Sequence, residues 1–220
     1  MYELPIFPLE SVLFPGTPVS LFIFEERYKL MMRRCIDERR PFGVALIRRG
    51  REAGGALAEP HAVGCTARIA AVEPLDEGRM NLTAVGEERF RILELSRDEP
   101  YLLGKVENLP IAASHSVEMA RGARHLGPWV ARYLALLDRA NPWIDIKLDR
   151  LELPDDPLLL VCWAAALLQI PAAEKQPLLE APSAGEMVEG VARLYRRETA
   201  VLGRLEGTSE EEAGRAGLLN

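Results

Sequence analysis

The sequence predicts an α+β protein in which an antiparallel β-barrel or curled sheet is followed by a helical bundle. Two observations carry this reading. Between residues 42 and 109, β-type runs follow one another with short turns, and two of them alternate apolar with polar residues. From residue 116 onward apolar residues recur three and four apart behind helix-start signals. The composition changes near residues 110 to 115. Residues 1–112 are therefore expected to form the barrel with one early helix, residues 113–206 a helical domain, and residues 207–220 an acidic, disordered tail.

The elements follow in order. Leu4, Ile6, Phe7 and Leu9 form a short apolar run punctuated by Pro5 and Pro8. Phe14-Pro15-Gly16 is a turn signal, since proline presets φ and glycine tolerates positive φ. Val19 to Phe24 is β-type, and its apolar residues are expected in the barrel core. Glu25 to Arg39 reads as an amphipathic helix with Tyr28, Met31, Met32, Cys35 and Ile36 inward, acidic at its start and ended by Pro41. Phe42 to Ile47 is a strand, and the glycine-rich stretch from Arg48 to Pro60 a loop.

Gly64 to Leu75 is a long strand candidate, and Asp76-Glu77-Gly78 supplies a hairpin turn. Met80, Leu82 and Ala84 alternate with Arg79, Asn81 and Thr83. Phe90 and Ile92 alternate with Arg89 and Arg91. Both are half-exposed antiparallel strands, with a bulge or tight bend at Gly86-Glu87-Glu88. Tyr101 to Leu109 closes the β part.

Ser116 to Arg139 is helical in pattern, with a kink or split expected at Gly127-Pro128. Asp156-Pro157 is a helix start, opening the apolar run from Leu158 to Ile170. Ser183 to Glu186 matches a capping box before the last helix.

The chain has 220 residues and a formal net charge of −6, which argues mildly against a dedicated nucleic-acid binder. No signal peptide is expected, since no basic segment leads into an apolar one at the start. The thirteen-residue apolar run is too short to span a bilayer, so no membrane partner is expected. Cys35, Cys65 and Cys162 have no paired spacing and fit reduced core thiols in the cytoplasm. His61 stands four residues from Cys65, about 13 Å along a strand, too far for a nucleophile and its base. No zinc spacing, serine elbow or phosphate loop occurs, so neither a catalytic site nor a cofactor is expected.

Two features point to partners. Nine basic residues stand against two acidic ones between Arg27 and Arg51, and Arg33, Arg34, Arg48 and Arg49 are candidate anion contacts. An RNA-binding protein using this basic face is the alternative reading. A solvated face balanced by acidic residues elsewhere is preferred, because the run lacks interleaved exposed aromatics. Leu57 in the glycine-rich loop, and Trp143 and Ile144 between helices, are candidate contacts for an extended peptide.

These residues also carry a family resemblance. Leu4 to Leu9, Phe14-Pro15-Gly16, Leu21 to Phe24 and Glu25 to Tyr28 resemble the start of the N-terminal, substrate-binding domain of Lon-type ATP-dependent proteases. The likeness continues through Gly64 to Ile69, Asp76 to Arg79 and Gly86 to Ile92. Leu167 to Pro171, Glu174 to Gln176 and Leu178 to Glu180 extend it to about residue 205. It implies a PUA-like β-barrel followed by a helical bundle, and a role in recognising unfolded or tagged polypeptides or a protein partner in proteolysis and quality control. In full-length Lon-type proteases an ATPase module and a protease module follow. This chain shows neither a phosphate loop nor a Ser-Lys segment, so it is expected to be a freestanding, non-catalytic version.

Overall fold

A computed structural model describes residues 1–51, 58–112, 117–140 and 154–217. They fall into two compact units. One comprises Met1–Ala112 with Ala165–Pro182, the other Ala113–Ala164 with Ser183–Asn220. Residues 165–182, which the sequence pattern groups with the helices, therefore pack with the strands.

The first unit contains β1 (Tyr2–Leu9), β2 (Pro18–Ile23), α1 (Glu26–Asp37), β3 (Phe42–Arg49), β4 (Glu59–Pro60), β5 (Val63–Pro74), β6 (Met80–Ser96) and β7 (Leu102–Asn108). The seven strands form one sheet, ordered β1-β7-β6-β5-β3-β4, with β2 on β6. A parallel pair between β1 and β3 joins the ends of the five longer strands into a ring, and the other pairings are antiparallel. The parallel pair is a departure from the all-antiparallel expectation.

β1 explains why the ring can close on a proline-containing strand. Residues Tyr2 to Ile6 pair with β7, whereas Ile6 to Leu9 pair with β3. Pro5 and Pro8 thus each lie where β1 has one pairing partner, so a missing N–H need not break a ladder. The strand is buried from Leu4 onward because it feeds two cores. Leu4 and Ile6 join Ala45, Phe90, Leu102 and Val106 in one. Phe7 and Leu9 join the larger cluster under α1, with Tyr28, Met31, Met32, Phe42 and Leu82.

The two strands expected on either side of Gly86 are one 17-residue strand, β6. Its pairing with β5 skips between Cys65↔Arg89 and Ala67↔Gly86, a bulge that sets Glu87 and Glu88 against Thr66. The Thr66 hydroxyl closes it, accepting from the Glu88 N–H at 3.0 Å and donating to the Glu88 carbonyl at 3.2 Å. Gly86 also receives the Phe14–Thr17 turn. Its carbonyl accepts from Gly16 at 2.8 Å and its N–H donates to Thr17 at 2.9 Å. A Cβ at residue 86 would stand 2.3 Å from the Phe14 carbonyl oxygen, so the approach requires glycine.

Arg89 corrects the reading of β6 as half-exposed at this point. It is 4% exposed. Its guanidinium donates to the carbonyls of Leu109 (3.2 Å), Pro110 (3.1 Å), Leu179 (2.6 Å) and Ala181 (2.7 Å). The last two lie at the end of α4 (Ala172–Leu179), where carbonyls lack helical partners and a cation is favoured. Gln176, also buried, donates from α4 to the Val63 carbonyl at 3.0 Å. These bonds tie residues 172–181 to β5, β6 and the end of β7.

In the second unit α2 (Val117–Ala140) continues through Pro128 as one helix, so of the expected kink or split there is no split. Met119, Ala123, Leu126, Val130 and Tyr133 form its buried stripe. It packs on α5 (Ala184–Gly217). A Cβ at Gly122 would sit 2.6 Å from Val188, so the helices approach closely there. Tyr133 meets Tyr195 edge-on at 5.3 Å, and the Tyr195 hydroxyl donates to Ala164 at 2.8 Å. α3 spans Pro157–Leu167, capped by Asp156 through a 2.9 Å bond from the Leu159 N–H. The expected capping box at α5 is present, with Ser183 accepting from the Glu186 N–H at 3.3 Å. The α5 backbone runs helically past Glu206, into the stretch read from composition as a tail.

Candidate functional site

The strands β2, β6 and β5 extend beyond the ring as a three-stranded region whose two edges pair with no further strand among the described residues. β2 pairs only with β6, from Pro18↔Val85 to Ile23↔Met80. Its other edge faces no strand among the described residues. The period-two geometry of this strand sends Leu21 and Ile23 into the core at 6% and 1% exposure. The same geometry sends Phe22 and Phe24 outward, at 53% and 47%. Their rings stack with centroids 5.6 Å apart. Two stacked, half-exposed phenylalanines beside an edge that meets no strand among the described residues form an apolar platform.

The opposite edge belongs to β5. β3 pairs with it only from Cys65 to Ala67, because β3 begins at Phe42 behind Pro41. Beyond Ala67, β5 pairs with β6 alone. A second register shift between Ile69 and Ala71 leaves Ala70 as an extra residue. It has a geometric result. Ile69 opposes Ala84 and Val72 opposes Leu82, so residues three apart share the inner face. There they border a cleft of about 480 Å³ together with Cys35, Ile36, Arg39, Arg40, Pro41, Arg68 and Glu87.

The end of α1 shapes this cleft. The N–H groups of Arg39 and Arg40 bond back to Ile36 (3.2 Å) and Cys35 (3.0 Å). This cap puts one residue in the left-handed region, usually glycine, and here Arg39 holds it at φ 50°. Ile36, assigned to the inner face of the helix, is 36% exposed at the cleft. Lys29, by contrast, is buried. It bridges the Glu26 carboxylate at 2.8 Å and the Glu77 carbonyl at 2.7 Å, fixing α1 against the β5–β6 turn.

The arginines of the 27–51 run are spread over α1, β3 and the segments next to them, and four of the eight pair with carboxylates. Arg27 pairs with Glu25 at 2.9 Å and lies over the Tyr28 ring. Arg34 donates to Tyr101 (2.8 Å) and Glu99 (3.0 Å), and these bonds hold its charge more firmly than usual. Arg40 pairs with Glu38 at 3.1 Å, and Arg48 pairs with Glu59. Arg33 lies on the exposed side of α1 and Arg49 at the exposed end of β3. Arg48 borders a different cavity, of about 340 Å³, with His61, Ile92, Leu95 and Glu180. Leu57, Trp143 and Ile144 lie outside the described residues.

Few chemically reactive groups come together among the described residues. His61 Nδ1 is 3.7 Å from the Glu180 carboxylate, while Cys65 is fully buried and its thiol bonds to the Thr66 carbonyl. Cys35 is buried too, and desolvation pushes its thiol up to about 11. Among the described residues no three His, Cys, Asp or Glu side chains converge as metal ligands.

A ring of strands with an aromatic-bearing edge, together with helices, makes a mixed α/β fold. Comparison with known proteins places it further. Residues 3–197 match the family model of the ATP-dependent protease La (LON) substrate-binding domain, and the chain belongs to that family. It is 26% identical over 201 residues to a Lon protease of Anaeromyxobacter dehalogenans, covering 90% of this chain and 24% of that protein. The figures for the Escherichia coli Lon protease are 23% over 201 residues, 91% and 25%. The chain thus spans about a quarter of the length of the Lon proteases it matches. Among solved structures, a Lon N-terminal domain protein from Xanthomonas campestris superimposes with a TM-score of 0.64 at 24% identity, over 88% of this chain and 98% of that one. The N-terminal domain of a Mycobacterium avium complex Lon protease gives 0.63 at 18% identity, over 89% and 98%.

Proposed function

We propose that this chain is a non-catalytic, cytoplasmic recognition protein that captures extended or unfolded polypeptide segments for proteolysis or quality control. The ring of strands is read as a PUA-like barrel serving as its scaffold. Membership of a substrate-binding family supports a polypeptide partner. The observation that carries the reading is the Phe22–Phe24 stack on the open edge of β2. Exposed aromatics supply apolar area, and free strand groups supply main-chain hydrogen bonds to a chain with no fixed fold.

The test is titration with reduced, denatured model proteins against their native forms. Micromolar binding of the denatured forms only, weakened at least about tenfold by joint Phe22→Ser and Phe24→Ser substitution, is the expected result. Equal binding of native and denatured forms, or none at high micromolar concentration, would overturn it. The alternative reading, an RNA binder using the basic face, is less favoured here because Arg27, Arg34, Arg40 and Arg48 have carboxylate partners, although Arg33 and Arg49 stay exposed.

A further inference from the structure

The cleft between the end of α1 and the free edge of β5 combines three features that fit one occupant. Its floor is apolar, made by Ile36, Ile69 and Val72. Three guanidinium groups border it (Arg39, Arg40 and Arg68) against a single carboxylate, Glu87, in a protein whose net charge is −6. Alongside it β5 runs from Arg68 to Pro74 paired with β6 on one side and with no strand on the other among the described residues. Pro41 stops β3 where an added strand would continue the ladder.

Arg39 adds an independent sign. Of the three arginines it alone has no carboxylate partner among the described residues, since Arg40 pairs with Glu38 and Arg68 with Glu87. It also occupies a left-handed position that glycine would hold at less conformational cost. A glycine there would serve the cap as well, so the guanidinium is what distinguishes this position.

We infer that this cleft binds an extended polypeptide segment that alternates apolar and acidic residues, adding to β5 as a strand. The inference deepens the proposed polypeptide-binding role and rests on it. Apolar side chains of the segment enter over Ile69 and Val72. Its carboxylates alternate to the other face, beside Arg68. One at the end of the added strand meets Arg39 at the rim, and the segment's backbone pairs with the outer edge of β5. The bulge at Ala70 sets the spacing, because it brings Ile69 and Val72 to one face. An RNA strand is the less suited occupant, since the cleft offers no exposed aromatic for base stacking.

The experiment uses the full chain and a fluorescein-labelled peptide of about eight residues, alternating leucine and aspartate. Anisotropy is read against a leucine–lysine peptide, an alternately N-methylated leucine–aspartate peptide and a uridine oligonucleotide. Expected is saturable binding of the leucine–aspartate peptide, with the lysine and N-methylated versions at least about tenfold weaker. Arg39→Glu and Val72→Glu should each cost about tenfold, and Phe22→Ser/Phe24→Ser should leave this peptide's affinity unchanged. Arg39→Gly separates contact from folding, because it removes the charge while leaving Tm unchanged or raised. Unaltered affinity in both Arg39 variants, or tighter binding of the oligonucleotide at the same residues, would overturn the inference. If denatured proteins still bind through Phe22 and Phe24 in that case, the proposed function stands without this site. Loss of both activities would overturn the two together.

Discussion

Arg89 on β6 donates to the carbonyl oxygen of Leu179, 90 residues further along the chain, at 2.6 Å. The bond brings a buried cation to the C-terminal end of α4, where free carbonyls make it welcome. Three more carbonyls complete the set. Replacing Arg89 with alanine leaves all four acceptors short of a donor and is expected to cost about 3 kcal/mol or more in urea unfolding. Lysine recovers less than half, because an ammonium lacks the planar fork that reaches Leu109, Pro110, Leu179 and Ala181 together. Full rescue by lysine would mean that charge, not geometry, is what matters there.

Gly86→Ala is expected to destabilise the first unit by about 2–4 kcal/mol, measured by thermal or urea denaturation. The added methyl meets a backbone oxygen, that of Phe14, which cannot swing aside as a side chain would. Gly127→Ala is the control. Nothing lies within 4 Å of its Cβ, and it should change stability by no more than about 1 kcal/mol.

Phe22 and Phe24 make the opposite prediction. Both rings are about half exposed, so serine at both positions should shift unfolding free energy by about 1 kcal/mol or less while binding of denatured protein falls. A large stability loss would reassign the pair to the core.

Cys35 should be slow to alkylate. Its thiol is pushed up to about 11, so at pH 8 it holds about a hundredfold less thiolate than an ordinary thiol near 9. The folded state keeps its proton longer than the unfolded state, so stability falls as pH rises through the window from about 9 to 11. The total is on the order of 2 kcal/mol. Cys35→Ala should flatten that slope in a pH series of melting curves, and an unchanged slope would assign it to other groups.

Where local chemistry decided structure, the sequence was readable. Asp156 before Pro157, Ser183 three residues before Glu186, and the turn at Asp76 to Gly78 all act over a few residues, and each is found as expected. The bulge at Gly86 was legible for the same reason. The β1–β3 parallel pair was not, because it joins residues with no periodicity in common. Arg89 looked like one member of an exposed row, since nothing near it in sequence announces acceptors at Leu179 and Ala181. Phe22 and Phe24 were hidden in an unbroken apolar run. Leu21 to Phe24 on a strand must send two of its four residues outward, and that count was the available signal. Arg39 could not be singled out, because its left-handed backbone depends on how α1 stops before Pro41.

Arg89 also has a consequence for how the chain is made. Its acceptors at Leu179 and Ala181 do not exist while a ribosome has completed only the seven strands. A nascent chain at that point carries a guanidinium in search of partners and a sheet without its last clasp. Final locking of the strand unit therefore waits until the chain has been translated through residue 181. A truncation after residue 112, natural or engineered, should yield a product that quality-control proteases remove.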